Sequence, residues 1–295
     1  TRYIGVTGVQ TCALPILQRI NKIQPFVHKV EPVGVDGGKH LRELALGLVV
    51  VEHHRVGFGA AVAAVDQHHR EIEVEPVELR RRLAALREEL ADLLRSGVAL
   101  VQFDEPVLSE VVFARAKAGS GGRSFMCGAL GEKKPINEEL AFARDLMNAV
   151  VAGFPRERTA MHVCRGNWSP DESVALAGDY RALLPHFKQL DVGTFMLELA
   201  TPRAGEIEIL RELPDDRRIG VGVVNQKLKE VESVDEVLAR AEAAIALFGP
   251  ERVLLNPDCG FATFADNPLA SSRIAEAKLK SIVAASIRLR DKYGV

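Results

Sequence analysis

Five short apolar runs, each broken off by polar residues and separated by helix-like stretches, constrain the fold of this chain more than any other feature. Val98-Ala99-Leu100-Val101-Gln102-Phe103 stops at Asp104-Glu105-Pro106, and Thr159-Ala160-Met161-His162-Val163-Cys164 stops at Arg165-Gly166-Asn167. Thr194-Phe195-Met196-Leu197-Glu198-Leu199 gives way to Ala200-Thr201-Pro202-Arg203. Ile219-Gly220-Val221-Gly222-Val223-Val224 ends at Asn225-Gln226-Lys227, and Arg252-Val253-Leu254-Leu255-Asn256 ends at Pro257-Asp258-Cys259-Gly260. Runs this short and this continuously apolar read as strands buried on both faces. Between them, 138–151, 172–184, 234–247 and 271–292 read as helices. A further helix is expected over 79–96, where Leu83, Leu86, Leu90, Leu93 and Leu94 recur at helical spacing before Gly97. Strands alternating with helices predict an α/β fold with a parallel sheet.

The 295 residues suffice for one (β/α) barrel, which typically takes roughly 250, or for two small cores. With 38 basic against 40 acidic residues, the charge gives no footprint for nucleic acid or an anionic membrane. No apolar run reaches the roughly 20 residues of a membrane span. Cys12, Cys127, Cys164 and Cys259 lack the dense spacing of a secreted disulfide scaffold. The expected setting is therefore the cytoplasm, where thiols remain available to a metal.

The N-terminal part departs from this regularity. Residues 1–16 resemble translated sequencing-adapter text and are read as a non-native leader. Residues 17–76 form an irregular segment that reads equally as divergent native sequence or as translation out of frame. Six of the eight histidines fall in it, among them His53-His54 and His68-His69. Neighbouring histidines on a strand face opposite ways, and no thiol or carboxylate is spaced to join them, so no second metal site is expected. The regular portion is 77–295.

The reactive side chains sit where the strands end. In parallel β/α folds functional groups gather at the C-terminal ends of strands, so residues far apart in sequence meet on one rim. Asp104, Glu105, His162, Cys164, Glu198 and Cys259 all occupy such ends. His162 and Cys164 alternate on one face of a strand. Taken alone the pair reads more readily as core residues. With Glu198 and Cys259 it becomes two thiolates, an imidazole and a carboxylate, a tetrahedral zinc set. The carboxylate is the harder, more exchangeable ligand, so Glu198 is the one expected to yield to an incoming substrate thiol. A thiol bound to zinc loses its proton near neutral pH and becomes a nucleophile.

These motifs, Gln102-Phe103-Asp104-Glu105-Pro106, Met161-His162-Val163-Cys164, Leu197-Glu198-Leu199-Ala200-Thr201, Gly222-Val223-Val224 and Asn256-Pro257-Asp258-Cys259-Gly260, resemble in order the catalytic C-terminal domain of the cobalamin-independent methionine synthases. The resemblance runs from about Arg82 to Tyr293 and is closer to the short, single-domain relatives. It implies a TIM-like (β/α) barrel, incomplete if 17–76 supplies no strands. It also implies zinc on His162, Cys164, Glu198 and Cys259, and Asp104 holding the amino group of homocysteine. The implied reaction is methyl transfer to the homocysteine thiol, giving methionine, from a methylfolate or a methylcorrinoid protein. One departure stands out. Where folate-dependent members carry a histidine that protonates the leaving nitrogen, this chain has Lys227, with Asn225 in place of the usual aspartate. Lys227 serves as an acid only if burial or a nearby cation lowers its pKa; otherwise it is an exposed surface lysine. Alternatives to methionine synthesis are alkyl transfer with another thiol acceptor or donor, and an inactive fragment of a barrel.

Several residues have plainer readings. Glu105 points opposite to Asp104 and is expected to be structural. Asp258 either orients a ligand or caps the following turn. Arg165 and Arg203 either hold a substrate carboxylate or make surface ion pairs. His186 is expected in a surface loop. The glycine-rich stretch 119–128, with Cys127, lacks the ending of a phosphate loop.

Overall fold

The computed structural model describes residues 76–105, 107–118, 135–167, 169–264 and 267–295. The expectations for residues 1–75, for Cys127 and for the glycine-rich stretch fall outside the described residues.

Five strands, β1 (Val101–Glu105), β2 (Thr159–Val163), β3 (Thr194–Leu197), β4 (Arg218–Val224) and β5 (Val253–Pro257), form one parallel sheet in sequential order. Sequential parallel pairing is how the wall of a (β/α) barrel is laid down. Among the described residues the wall is open, with β1 and β5 at its two edges. β1 begins three residues later than the apolar run does. Gly97, at φ 90°, and the bond from Val98 N–H to the Leu93 carbonyl (3.2 Å) use those positions to close the preceding helix.

The helices are α1 (Pro76–Arg95), α2 (Val107–Ala118), α3 (Ile136–Val151), α4 (Leu184–Phe187), α5 (Val234–Phe248) and α6 (Ser272–Tyr293). α3 buries Leu140, Ala143, Met147 and Val150, a helical stripe that packs with Leu79, Leu83 and Leu86 of α1 in the main core. Arg87 of α1 reaches the C-terminal end of α3 and donates to the carbonyls of Ala149, Val150 and Ala152 at 2.9, 2.8 and 2.9 Å. Those carbonyls have no partner within the helix, so a cation is well placed there. α5 opens on a reciprocal capping box between Ser233 and Glu236.

The helix expected over 172–184 does not form. Instead there are two 3-10 turns, Glu172–Val174 and Tyr180–Ala182, followed by the single turn of α4. Asp171 and Asp179 accept from the backbone N–H groups of Ser173 and Arg181, each beginning a new turn. Between them Gly178 sits at φ 148°, and a Cβ there would overlap the Phe113 ring. Gly178 thus serves close packing and a backbone geometry that a helix would forbid. β3 and β4 are likewise joined by 3-10 turns, Pro202–Ala204 and Ile207–Glu212.

The two faces of the sheet differ in chemistry. Met161, Val163, Phe195, Leu197, Ile219, Val221 and Val223 belong to the main core with the helices. On the other face Leu100, Ala160 and Met196 make a small apolar floor. The register places Asp104, His162, Met196, Gly220 and Leu254 in one row across the five strands. Above this floor, at and beyond the strand ends, lie the residues of interest.

Candidate metal centre

Two residues beyond the His162 row, the chain leaves β2 at Cys164 and β3 at Glu198, while Cys259 follows β5 by two residues. One ligand atom from each of His162, Cys164, Glu198 and Cys259 lies within 4.8 Å of all the others, and all four residues are buried. His162 Nε2 is 3.3 Å from Cys259 Sγ, and the two sulfurs are 3.8 Å apart. On the far side of the ring, His162 Nδ1 lies 3.1 Å from the Met196 carbonyl. In the neutral ring, an Nδ1 proton donated to that carbonyl would leave the Nε2 lone pair facing the sulfurs, the tautomer a metal-binding histidine needs.

The electrostatics fit a divalent cation. Cys259 is raised well above 9.0 by its hydrogen bond with Cys164 and by burial. Burial and the charge of Cys164 raise Glu198, against Arg203 and His162, which favour its ionised form. Burial disfavours a charged His162, yet Cys164, Asp104 and Glu198 outweigh it and hold the imidazole at about 10. Two acids pushed upward beside an imidazole held toward its charged form describe a donor set that a bound cation would relieve. Soft sulfur with imidazole and one carboxylate selects zinc over magnesium or calcium.

Around the cluster the backbone is held by residues of plainer expectation. Asp258 is fully buried and accepts from the N–H groups of Leu199 and Ala200, both at 2.8 Å, fixing the turn after Glu198. Burial and the nearby Glu198 push Asp258 up to about 7. Room for it comes from Gly222, where a Cβ would overlap Asp258 Oδ1 and crowd the backbone of Leu197 and Leu199. Asp258 thus both positions a ligand-bearing turn and ties β5 to β3. Glu105 is fully buried and Asp104 partly exposed. Gln102 Nε2 donates to Asp104 Oδ1 at 2.7 Å, beside His162 in register.

Neither arginine makes a surface ion pair. Arg165 is fully buried, stacked over the rings of Tyr180 (4.2 Å) and Phe113 (5.1 Å), with Nε donating to Tyr180 Oη. Its Nη1 donates to the Gly178 carbonyl at 2.5 Å, and its backbone N–H donates to Glu198 Oε1 at 2.7 Å. Arg203 bridges two carboxylates, Glu198 at 2.7 Å and Glu172 at 2.8 Å. The other oxygen of Glu172 accepts from Asn225 Nδ2 at 2.6 Å. Lys227 is not an exposed lysine. It is 4% exposed, its Nζ donates no hydrogen bond among the described residues, and burial lowers its pKa from 10.5 despite Glu172 and Glu198. His186 lies in α4, half-buried and away from the cluster, its pKa lowered by burial and Arg144. Glu172 and Tyr180 were missed by sequence reasoning. They belong to the stretch 172–184 expected to be a helix, and an Asp-Glu-Ser turn carries no signal of a charge chain to come.

A wall of parallel β/α units with a cysteine-rich centre at its strand ends defines the class: a (β/α) barrel protein, its wall open among the described residues, with a candidate soft-metal site. Residues 160–286 match the family described as cobalamin-independent synthase, catalytic domain. Through that segment the chain is similar to the catalytic domain of the cobalamin-independent methionine synthases. It is 26% identical over 208 residues to the methionine synthase of Saccharolobus solfataricus, covering 70% of this chain and 49% of the relative. The methionine synthase of Sulfolobus acidocaldarius is 26% identical over 207 residues, covering 70% and 48%. The chain thus spans about half the length of the curated relatives it matches. Among solved structures it is similar to a B12-independent methionine synthase from Shewanella sp. W3-18-1 in complex with selenomethionine. The TM-score there is 0.55 at 17% identity, over 75% of this chain and 57% of that one, a likeness of fold.

Proposed function

We propose that this chain is a zinc-dependent S-methyltransferase that transfers a methyl group to the thiol of homocysteine, giving methionine. The observation that carries the reading is the gathering of His162, Cys164, Glu198 and Cys259 within 4.8 Å at the ends of three strands. The match of residues 160–286 to the catalytic domain of cobalamin-independent synthases supports the same chemistry. Zinc bound by these four groups supplies a Lewis acid that lowers a thiol pKa into the neutral range.

The protein's own residues would do the rest. Glu198, the one oxygen ligand among sulfur and nitrogen, is the residue that would yield its place to an incoming thiol if a metal were bound. Asp104, in register with His162, offers a carboxylate to the substrate ammonium. The methyl donor is a methylfolate or a methylcorrinoid protein; with a methylfolate, Lys227, buried with its pKa lowered, would be the proton donor to the leaving nitrogen, whereas a methylcorrinoid would need no such acid. The buried apolar floor beneath the cluster keeps bulk water from the thiolate. No helix among the described residues is long and apolar enough to cross a membrane, and unoxidised thiol ligands suit the cytoplasm. A second reading, alkyl transfer with another thiol acceptor or donor, draws its support on the donor side from Lys227 standing where folate-dependent relatives carry histidine.

Metal content of the purified chain, beside a Cys259→Ala variant, tests the proposal. The expected result is about one zinc per chain, largely lost in the variant, with a proton released when homocysteine is added. Zinc indifferent to Cys259 would overturn the site and leave the chain an inactive relative. Zinc with proton release only for other thiols would favour the second reading.

A further inference from the structure

Among the four candidate ligands Glu198 is set apart by what already holds it. Both its carboxylate oxygens accept charge-assisted or backbone hydrogen bonds at 2.7 Å, Oε1 from the N–H of Arg165 and Oε2 from Nη2 of Arg203. The residue is 1% exposed, so water does not compete for these bonds. Arg203 is itself shared. Its Nε donates to Glu172 Oε2 at 2.8 Å, and Glu172 Oε1 accepts from Asn225 Nδ2 at 2.6 Å. A chain of alternating charge, buried at Glu198 and partly exposed at Glu172, therefore runs from Glu198 through Arg203 to Glu172 and ends on the Asn225 amide. It links the loops that follow β2, β3 and β4.

We infer that Arg203 is a positioning residue that sets how readily Glu198 gives way to a substrate thiol. This deepens the metal-site reading and rests on it. A carboxylate bound by a guanidinium is a weaker ligand for a cation, because the two positive partners draw on the same lone pairs. The same guanidinium offers Glu198 a satisfied resting place once the thiol has taken its position, so a buried carboxylate is never left unpaired. The exchange is a ligand substitution without redox change. The thiol sulfur forms a bond to the metal as the Glu198 oxygen leaves it, and the thiol proton passes to solvent. Glu172 tunes the process in the opposite sense, since it claims part of the Arg203 charge.

The full chain loaded with cobalt(II) in place of zinc supplies a readout independent of turnover: the sulfur-to-cobalt charge-transfer band, titrated with homocysteine and with 2-mercaptoethanol. Arg203→Gln should keep stoichiometric cobalt yet need roughly tenfold more thiol for the same change, because Glu198 now binds the metal unopposed. Arg203→Lys, which keeps a cation beside Glu198, should recover part of that loss. Glu172→Gln should shift the titration the other way, to lower thiol concentration, since Arg203 then acts on Glu198 alone. Opposite shifts separate this role from general damage, which would weaken both variants. Variants that titrate like the unaltered protein, or that weaken alike, would overturn the role of Arg203 while leaving the metal site intact. An unaltered chain that shows no thiol-dependent band with either thiol would overturn the metal-site reading, and this inference with it.

Discussion

At the scale of single residues, Lys227 is the clearest case of a side chain whose setting defies its type. An ammonium that is 4% exposed and donates no hydrogen bond among the described residues costs the fold stability. Its pKa falls from 10.5, chiefly through burial, so between its folded value and 10.5 the unfolded chain binds more protons than the native one. Stability from this group therefore rises with pH across that window. Lys227→Met should stabilise the protein at neutral pH, by on the order of 1–3 kcal/mol. It should also flatten the dependence seen when urea unfolding is compared at about pH 8 and about pH 10. The same variant should lose about 10²-fold in methyl transfer if Lys227 donates the proton. A residue that weakens the fold and sustains the reaction marks a functional site; one whose removal changed neither would be a packing accident.

At the scale of elements, β4 shows how two glycines organise their neighbours. A Cβ at Gly220 would overlap the Met196 side chain and lie 2.6 Å from Asn256 Oδ1, and one at Gly222 would overlap Asp258. Because β4 lies between β3 and β5, these absences of side chain let both neighbours bring their ends together above it. The register shift between Gly222 and Val224 continues the effect, allowing Asp258 N–H to reach the Val224 carbonyl at 2.9 Å. Gly222→Ala should therefore do more than crowd a strand. We expect a loss of about 1–3 kcal/mol in urea unfolding. Zinc should be lost with it, because Asp258 can no longer fix the turn that follows Glu198. Retention of full zinc would mean that the turn is held by other contacts, such as the mutual bonds of Tyr180 with the Glu198 backbone at 3.0 and 3.2 Å.

At the scale of the whole molecule, the candidate ligands come from β2 and the ends of β2, β3 and β5, so one ion would tie together most of the width of the sheet. An ion that binds the native state alone adds about 2.7 kcal/mol at a hundredfold excess over its dissociation constant. In a chain of this size that corresponds to roughly 5–10 °C in Tm. Thermal unfolding with added zinc, against a strong chelator, measures this. A Tm indifferent to chelation would mean that the strand ends are held without metal. The open edges at β1 and β5 among the described residues give this tie more weight, since no closing pairs of strands share the load there.

The sequence by itself determined the order of strands, the sides of the sheet and the identity of the chemical groups at the rim. Continuous apolar runs alternating with helical stretches point to a parallel sheet, and alternation along a strand puts His162 and Cys164 on one face. Four of the five expected helices were legible for the same reason, their leucines and valines repeating with helical period. The fifth, over 172–184, was not, because Gly178 and the two aspartate-capped turns act through tertiary packing against Phe113 rather than through local periodicity. Only the tertiary structure decided that Arg203 faces Glu198, that Arg165 is stacked rather than exposed, and that Lys227 is buried. Each of these depends on loops from different strands arriving at one point. A charged side chain carries no sign in its own sequence of which opposite charge, dozens of residues away, the fold will bring to meet it.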